Sequence, residues 1–346
     1  GAFSDGKLNT GTKNERGRWV LQQFVRFGAQ EEILYDAKPH VGTDVLFHVI
    51  QNLREEVLRL GGEVRFGARL TGLETQDGRI TGVRWIEDGA ERSFACRDVI
   101  LAIGHSARDT FESLLAGGIT LVQKPFSIGA RIEHPQSLVN ASQYGAAASH
   151  PALGAADYKL ALHLPGGRSV YTFCMCPGGT VVAAASEPDS VVTNGMSYYA
   201  RDGVNANSAL LVGVGPEDFG SEHPLAGMFL QREIERRAFV LGGRSGKAPC
   251  QTVGDLLSGR ASGKLGVVEP SYKPGIVPCD LAELLPAPLI GAMREALPLL
   301  GRRLRGFDLP DAVLTGPETR SSSPVRISRD ETFQSVSTLG LYPCGE

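Results

Sequence analysis

The stretch "DVILAIGHSA", Asp98 to Ala107, decides how the fold is read. An unbroken apolar run meets Gly104, and His105 and Ser106 follow where a helix can begin. Such a run predicts a strand covered on both faces. In open α/β sheets, ligands lie beyond the carboxyl ends of the strands, where a glycine lets backbone approach without a side chain between. The same pattern fits a strand that merely turns into a helix, so its neighbours have to decide.

Upstream, residues 16 to 34 read as a helix, with Trp19, Val20, Phe24, Phe27 and Ile33 at helical spacing and Gly28 as a break. A second helix follows "KPHVG". Thr43 is its expected cap, Leu46, Ile50, Leu53, Val57 and Leu60 form one apolar stripe, and Gly61-Gly62 closes it. "EVRF" reads as a short strand. Asp77-Gly78 and Asp88-Gly89 then punctuate alternating stretches, which predicts a three-stranded antiparallel meander returning into "VILAI". From about Lys124 the texture changes to strand-like pieces separated by Pro-Gly or Gly-Gly turns, with helices over 224–241 and roughly 281–305.

The 346 residues hold 42% hydrophobic and 21% charged side chains, as a folded globular chain does. A net charge of -3 gives no reason to expect nucleic acid or an anionic membrane as partner. No apolar run is long enough to span a bilayer and no signal peptide is visible, so a cytoplasmic location is expected. The six cysteines show neither CxxC nor zinc spacing, which suits a reducing compartment. The chain opens on Gly1-Ala2-Phe3 and stops on Cys344-Gly345-Glu346, so it reads as a fragment.

Several constellations are candidates for chemistry. In "CMCPGG", strand alternation would place Cys174 and Cys176 on one face with Met175 on the other. They read either as small buried hydrophobes or as a thiol couple. The loop "ETRSSSPVRI" brings Arg320 and Arg326 together with Thr319 and Ser321 to Ser323, either a receptor for an anion or carboxylate or a polar surface loop. "TNGMSYYARDGVNAN" is rich in hydrogen-bonding groups. Asn194, Arg201 and Asn207 are expected either to face a small-molecule substrate or to stitch the loop to the core, and Arg131, Glu133 and His134 of "ARIEHP" either to face that substrate or to form an ion-pair network. No pattern resembles a Ser-His-Asp triad or a metal cage.

The ordered stretches "FSDGKLNTGT", "FVRFGAQEEILYDAKPHVGTD", "VILAIGHSARDTF", "KPFSIGARIEHPQ", "SVYTFCMCPGGTVVAAASE", "ETRSSSPVRISRDE" and "GLYPCGE" resemble the bacterial FAD-dependent dehydrogenases, of the glutathione-reductase-like flavoprotein class. The resemblance implies a mixed α/β (α+β) fold. Residues 1–120 would form a partial Rossmann-like FAD-binding domain with a β-meander. Residues 121–330 would be a substrate domain with a mainly antiparallel sheet, and 331–346 the start of a returning strand. It also implies FAD contacts at Ser4, Asp5, Gly6 and Lys7, backbone of Leu70 toward the adenine, Gly104, His105 and Ser106 along the adenosine diphosphate, and Gly345 and Glu346 at a ribityl hydroxyl. No GxGxxG follows a strand here, so both halves of the FAD cradle are incomplete.

The expectation is therefore an FAD-dependent oxidoreductase that transfers a hydride to or from an undetermined small molecule. Two alternatives stay open: a non-catalytic binding domain without FAD, and a thiol redox enzyme using Cys174 and Cys176.

Overall fold

Alternating side chains with Asp-Gly corners predict a meander, and the computed structural model, which describes residues 5–8 and 14–345, contains it. Strands Arg69–Gln76, Arg79–Glu87 and Ala90–Ala95 pair antiparallel in chain order. Asp77 and Gly78 (φ 48° and 74°) and Asp88 and Gly89 (51° and 76°) all take positive φ. That geometry belongs to the tight hairpin turn that matches strand twist. The chain then enters strand Val99–Leu101, which pairs in parallel with Leu341–Pro343.

That strand corrects one expectation. Leu101 is 3% exposed, packed with Ile80, Phe111, Leu114 and Leu341, whereas Ile100 is 73% exposed. The apolar run is not covered on both faces, because it pairs for only three residues and alternation sends Ile100 outward. Helix Arg108–Ala116 follows with Ala107 as N-cap and no side-chain capping bond, so neither His105 nor Ser106 caps it.

The chain divides into two compact units. One takes residues 65–128, 213–234 and 319 onward, and the other takes residues up to 64, 129–212 and 235–318. These boundaries differ from those expected at 120 and 330, because strands Phe126–Pro135 and Asn205–Val214 and helix Ala226–Leu241 run through them.

The second unit is built on a seven-stranded, mainly antiparallel sheet. Its order is Ile276–Pro278, Ala248–Thr252, Val313–Glu318, Phe126–Pro135, Asn205–Val214, Ser169–Cys176 and Ala161–His163, with the first two strands parallel. Strands Phe126–Pro135 and Asn205–Val214 are buried nearly throughout, so their polar residues must find partners inside the protein. Gly129 is where backbones approach most closely: a Cβ there would fall on the carbonyl oxygen of Leu210. Helix Ala287–Arg303 buries Leu289, Ile290, Met293, Ala296, Leu297 and Leu300 at helical spacing.

The first described residues belong to this unit. Leu8 N–H donates to Pro39 O, Val41 N–H to Gly6 O and Gly42 N–H to Asp5 O, at 3.0–3.1 Å, so 5–8 and 39–42 run as a short antiparallel ladder. Helix Glu15–Arg26 is capped by Asn14 and ends before Gly28, which takes φ 111°. A 3-10 turn, Glu31–Leu34, replaces the rest of the helix expected to 34. Helix Thr43–Arg59 is preceded by Gly42 as N-cap at φ 80°, so Thr43 is its first residue and not its cap. A Cβ on Gly42 would strike the Tyr199 backbone. The helix closes as expected, Gly61 N–H donating to Leu58 O and Gly62 N–H to Val57 O.

The expected stripe on this helix is split. Leu46 and Leu53 pack beside a core of Ala29, Ile33, Val41 and Val49, but Ile50, Val57 and Leu60 are exposed. Val49 is the fully buried position, which turns the packed face away from the one read in the sequence. Residues 63–66 form no strand. Among the described residues no helix is long and apolar enough to cross a membrane.

Gly129→Ala is expected to lower stability by about 2–3 kcal/mol, since added bulk between packed backbones forces a shift. Gly154, where a Cβ meets nothing within 4 Å, is the control: Gly154→Ala is expected to stay within about 0.5 kcal/mol. Urea unfolding of both variants measures the difference.

Candidate functional site

Arg131 lies on strand Phe126–Pro135, opposite Thr315 of Val313–Glu318. A fully buried guanidinium needs an acceptor for each of its five N–H groups, and the neighbouring strands supply them. Nε donates to Glu318 Oε2 at 2.5 Å and Nη2 to Glu318 Oε1 at 2.9 Å. Nη2 also reaches Asn194 Oδ1 at 2.9 Å, while Nη1 reaches Cys174 O at 2.8 Å and Asn207 Oδ1 at 3.1 Å. All five are spent, so Arg131 positions its neighbours and has no donor left for a substrate. Burial pushes the Glu318 carboxyl up to about 7, with Arg131 pulling the other way. Glu318 was not singled out from the sequence. Its signal is a carboxylate closing a strand whose other residues are all buried.

Beside this pair lies a second charged knot. Asp5 is fully buried, accepts from Ser197 Oγ (2.5 Å) and from Arg201 Nε and Nη2 (3.2 and 2.6 Å), and pairs with Lys7 Nζ at 2.7 Å. Burial raises its carboxyl, but Lys7 and Arg201 outweigh it and hold the group below the usual carboxylate range. Gly6 takes φ 66°, and a Cβ built on it would lie 3.2 Å from Gly42 N. The loop carrying Ser197 is held in turn: Thr43 N–H donates to Ser197 O and Tyr199 N–H to Asp44 Oδ1.

Cys174 and Cys176 border both groups. Strand alternation fails here: Cys174 takes φ 45°, and the register slips so that Asn207 faces Cys176 while Ala209 faces Phe173. This bulge inserts one residue and re-aims its side chain. Met175 and Cys176 are both buried, and the Cys176 thiol donates to Cys174 O at 3.3 Å. Asn194, Arg131, Arg201, Asn207, Asp5, Lys7 and the two cysteines, drawn from separate stretches, thus come together.

His134 does not join them. Its Nε2 meets Phe307 O at 2.7 Å and its ring packs on Phe307 at 5.1 Å. Burial pulls its pKa down to about 4, so it is a neutral core residue near pH 7. Its neighbour Glu133 accepts from Ser271 and Asn205.

In the other unit, the ends of the parallel pair open on a cavity of about 170 Å³. Ile103, Phe111, Val325, Ile327 and Pro343 form its apolar wall, and Gly104, His105, Ser323, Arg329, Cys344 and Gly345 complete it. Gly104 takes φ 66° with no atom within 4 Å of a Cβ position. Arg329, not anticipated from the sequence, donates to Pro343 O (2.7 Å) and Gly345 O (3.2 Å), which leaves donors for a ligand. Ser106 accepts from Arg320 at 3.0 Å, away from the cavity lining. Arg320 and Arg326 do not form one receptor: Arg320 is buried, whereas Arg326 is exposed on strand Val325–Ile327. Leu70 pairs with Trp85 in the meander, packs on the core and does not line the cavity. Ser4 and Glu346 lie outside the described residues. Among the described residues no three His, Cys, Asp or Glu side chains are grouped as a metal site.

The profile of the family described as "FAD-dependent protein, C-terminal domain-like" matches residues 125–321. A protein of Clostridium beijerinckii described as uncharacterized is 49% identical over 347 residues, which cover 100% of this chain and 64% of that protein. The chain therefore spans under two thirds of the length of that relative. Among solved structures, a flavin-dependent brominase triple mutant is 10% identical with a TM-score of 0.37, covering 89% of this chain and 50% of its own. The anhydrotetracycline hydroxylase OxyS from Streptomyces rimosus is 15% identical with a TM-score of 0.24, covering 51% of this chain and 28% of its own. Scores this low carry no structural argument.

Arg131→Met is expected to cost about 3–5 kcal/mol at pH 8, because Glu318 stays buried without its partner. At pH 5 the loss is expected to be smaller, since the isolated carboxyl takes up a proton. Urea unfolding at both pH values measures it. His134 gives a separate pH signature. Its folded pKa, about 4, lies below the ordinary 6.5, so its contribution is present above pH 6.5 and lost as pH falls toward 4. That gap is worth about 3 kcal/mol. His134→Gln is expected to flatten that part of the stability–pH curve.

Proposed function

Since this chain belongs to the family of FAD-dependent proteins, which its residues 125–321 match, we propose that it forms part of an FAD-dependent oxidoreductase. Its reaction is the transfer of a hydride between flavin and a small-molecule substrate. The observation that carries this reading is Gly104. The residue lies three positions beyond Leu101, where a strand of the parallel pair ends, takes a left-handed conformation and lines a cavity with open space where a side chain would stand. Bare backbone at that place suits the close approach of a dinucleotide.

The cavity residues fit one end of FAD in chemical character. Ile103, Phe111 and Pro343 offer an apolar wall for a planar ring or sugar face. Arg329 is a cation with donors to spare, held by two carbonyls, and suits phosphate oxygens. His105, Ser323 and the Gly345 backbone offer polar atoms at the same rim. At about 170 Å³ the space suits one moiety and not the whole cofactor. Flavin, when bound, supplies the two-electron chemistry that side chains lack. In this reading the chain's own residues bind, orient and shield it.

The test is flavin binding by the protein expressed from its full reading frame. It is expected to hold FAD, seen by absorbance and by quenching of flavin fluorescence on titration. Gly104→Val is expected to weaken binding at least tenfold, about 1.4 kcal/mol, with far-UV circular dichroism unchanged, and Arg329→Met is expected to act in the same direction. A protein that stays colourless after reconstitution, or a Gly104→Val variant that binds FAD as well as its parent, would overturn the reading in favour of a binding domain without flavin.

A further inference from the structure

The charged cluster around the two cysteines does not balance without them. Lys7, Arg131 and Arg201 bring three positive charges; Asp5 and Glu318 pair with them directly, while burial pushes the Glu133 carboxyl, which also interacts with Arg131, toward its neutral form. Buried charge of one sign is costly unless paired. Among the described residues, Lys7 Nζ is buried, pairs with Asp5, and interacts electrostatically with both cysteine sulfurs. Asn207 Nδ2, also buried, has no hydrogen-bond partner among the described residues. A thiolate would supply balancing negative charge, and the geometry distinguishes the two sulfurs. Cys176 is fully buried and donates its proton to the Cys174 carbonyl, whereas Cys174, on the bulge at φ 45°, is partly exposed. A non-glycine residue held at positive φ costs free energy and recurs at functional sites.

We propose that Cys174 and Cys176 form a dithiol site that exchanges with small disulfides, Cys174 as nucleophile and Cys176 as resolving thiol. The Cys174 thiolate attacks one sulfur of the disulfide. A bond forms between them, the disulfide bond breaks, and the leaving thiolate takes a proton from solvent. Cys176 then gives up its proton and attacks the Cys174 sulfur. This expels the second thiolate, which accepts the Cys176 proton. The two protein thiols are oxidised by two electrons to one disulfide, and the small disulfide is reduced to two thiols.

The surroundings support this division of roles. A side-chain interaction between the two sulfurs, distinct from the Cys176 bond to the Cys174 carbonyl, lowers the Cys174 thiol, burial opposes, and Arg131 and Lys7 lower it further. The same interaction and burial push Cys176 up. The other titratable groups around the pair are Asp5, Glu318, Tyr158, which is itself raised by burial, and His40, which burial and Arg201 hold low. Cys250 and Cys279 are raised by burial to about 12 and about 11, so they do not compete as nucleophiles. This site stands independently of flavin binding.

The test uses the unaltered chain first. Iodoacetamide labelling, resolved by peptide mass mapping across all six cysteines, is read against pH. Cys174 is expected to react at a rate that stays level down to pH 6, where an ordinary thiol has lost over a hundredfold of its thiolate, roughly as a pKa near 8.5 dictates. In urea the profile should revert. Hydroxyethyl disulfide is then added. The parent is expected to yield a Cys174–Cys176 disulfide, and Cys176→Ser a stable mixed disulfide on Cys174. Lys7→Met is expected to shift the labelling profile toward higher pH. Ordinary thiol titration of Cys174 in the folded chain, or a mixed disulfide on Cys174 that persists in the parent, would overturn the proposal.

Discussion

The bidentate pair between Arg131 and Glu318 is the constraint on which the larger unit depends. It joins two adjacent strands near the middle of the seven-stranded sheet, and both side chains are almost wholly out of water. Taking two ions out of water costs several kcal/mol each unless geometry and further hydrogen bonds compensate. Here they do, because the three donors left on Arg131 reach Asn194, Asn207 and the Cys174 carbonyl. Each of those groups sits on a different segment. A change in register of any one strand would strand a charge, so the pair selects one arrangement of the sheet.

That selection reaches the thiols. Nη1 of Arg131 holds the Cys174 carbonyl, and the bulge at Cys174 turns its side chain out of the strand's alternation. Gly195 makes the approach possible, since a Cβ there would meet both Asn207 Oδ1 and the Arg131 guanidinium. Stability and chemistry are therefore linked through one side chain: the guanidinium that satisfies Glu318 also contributes the field felt by the sulfurs. Lys7 adds to that field, and both Lys7 and Arg201 pair with Asp5.

The smaller unit is organised more simply. Its core gathers Ile80, Leu101, Phe111, Leu114, Leu121, Val325 and Leu341 from the meander, the parallel pair, one helix and the antiparallel pair of Leu121–Gln123 with Val325–Ile327. The cavity lies where that parallel pair ends, and its polar rim combines Gly104 and Gly345 with the His105, Ser323 and Arg329 side chains. At that rim the Arg329 guanidinium is already held by the Pro343 and Gly345 carbonyls.

Much of the local structure was legible in the sequence. The Asp-Gly corners give the meander because positive φ at both positions is cheap there, and Gly61-Gly62 ends a helix for the same reason. Gly104 and the apolar run before it mark a strand end beside open space. These are short-range effects, set by steric preference within a few residues, and the sequence alone determines them. Which faces are buried is different. Ile100 and Ile50 look like core residues and are exposed, while Arg131, Glu318 and Asp5 look like surface residues and are buried. Tertiary structure alone decided that Arg326 stands apart from Arg320, that His134 packs on Phe307, and that Arg131, Asp5, Lys7 and Cys174 meet. The physical reason is that a charge is buried only where partners from distant segments repay its lost hydration, and no local pattern encodes which segments those are.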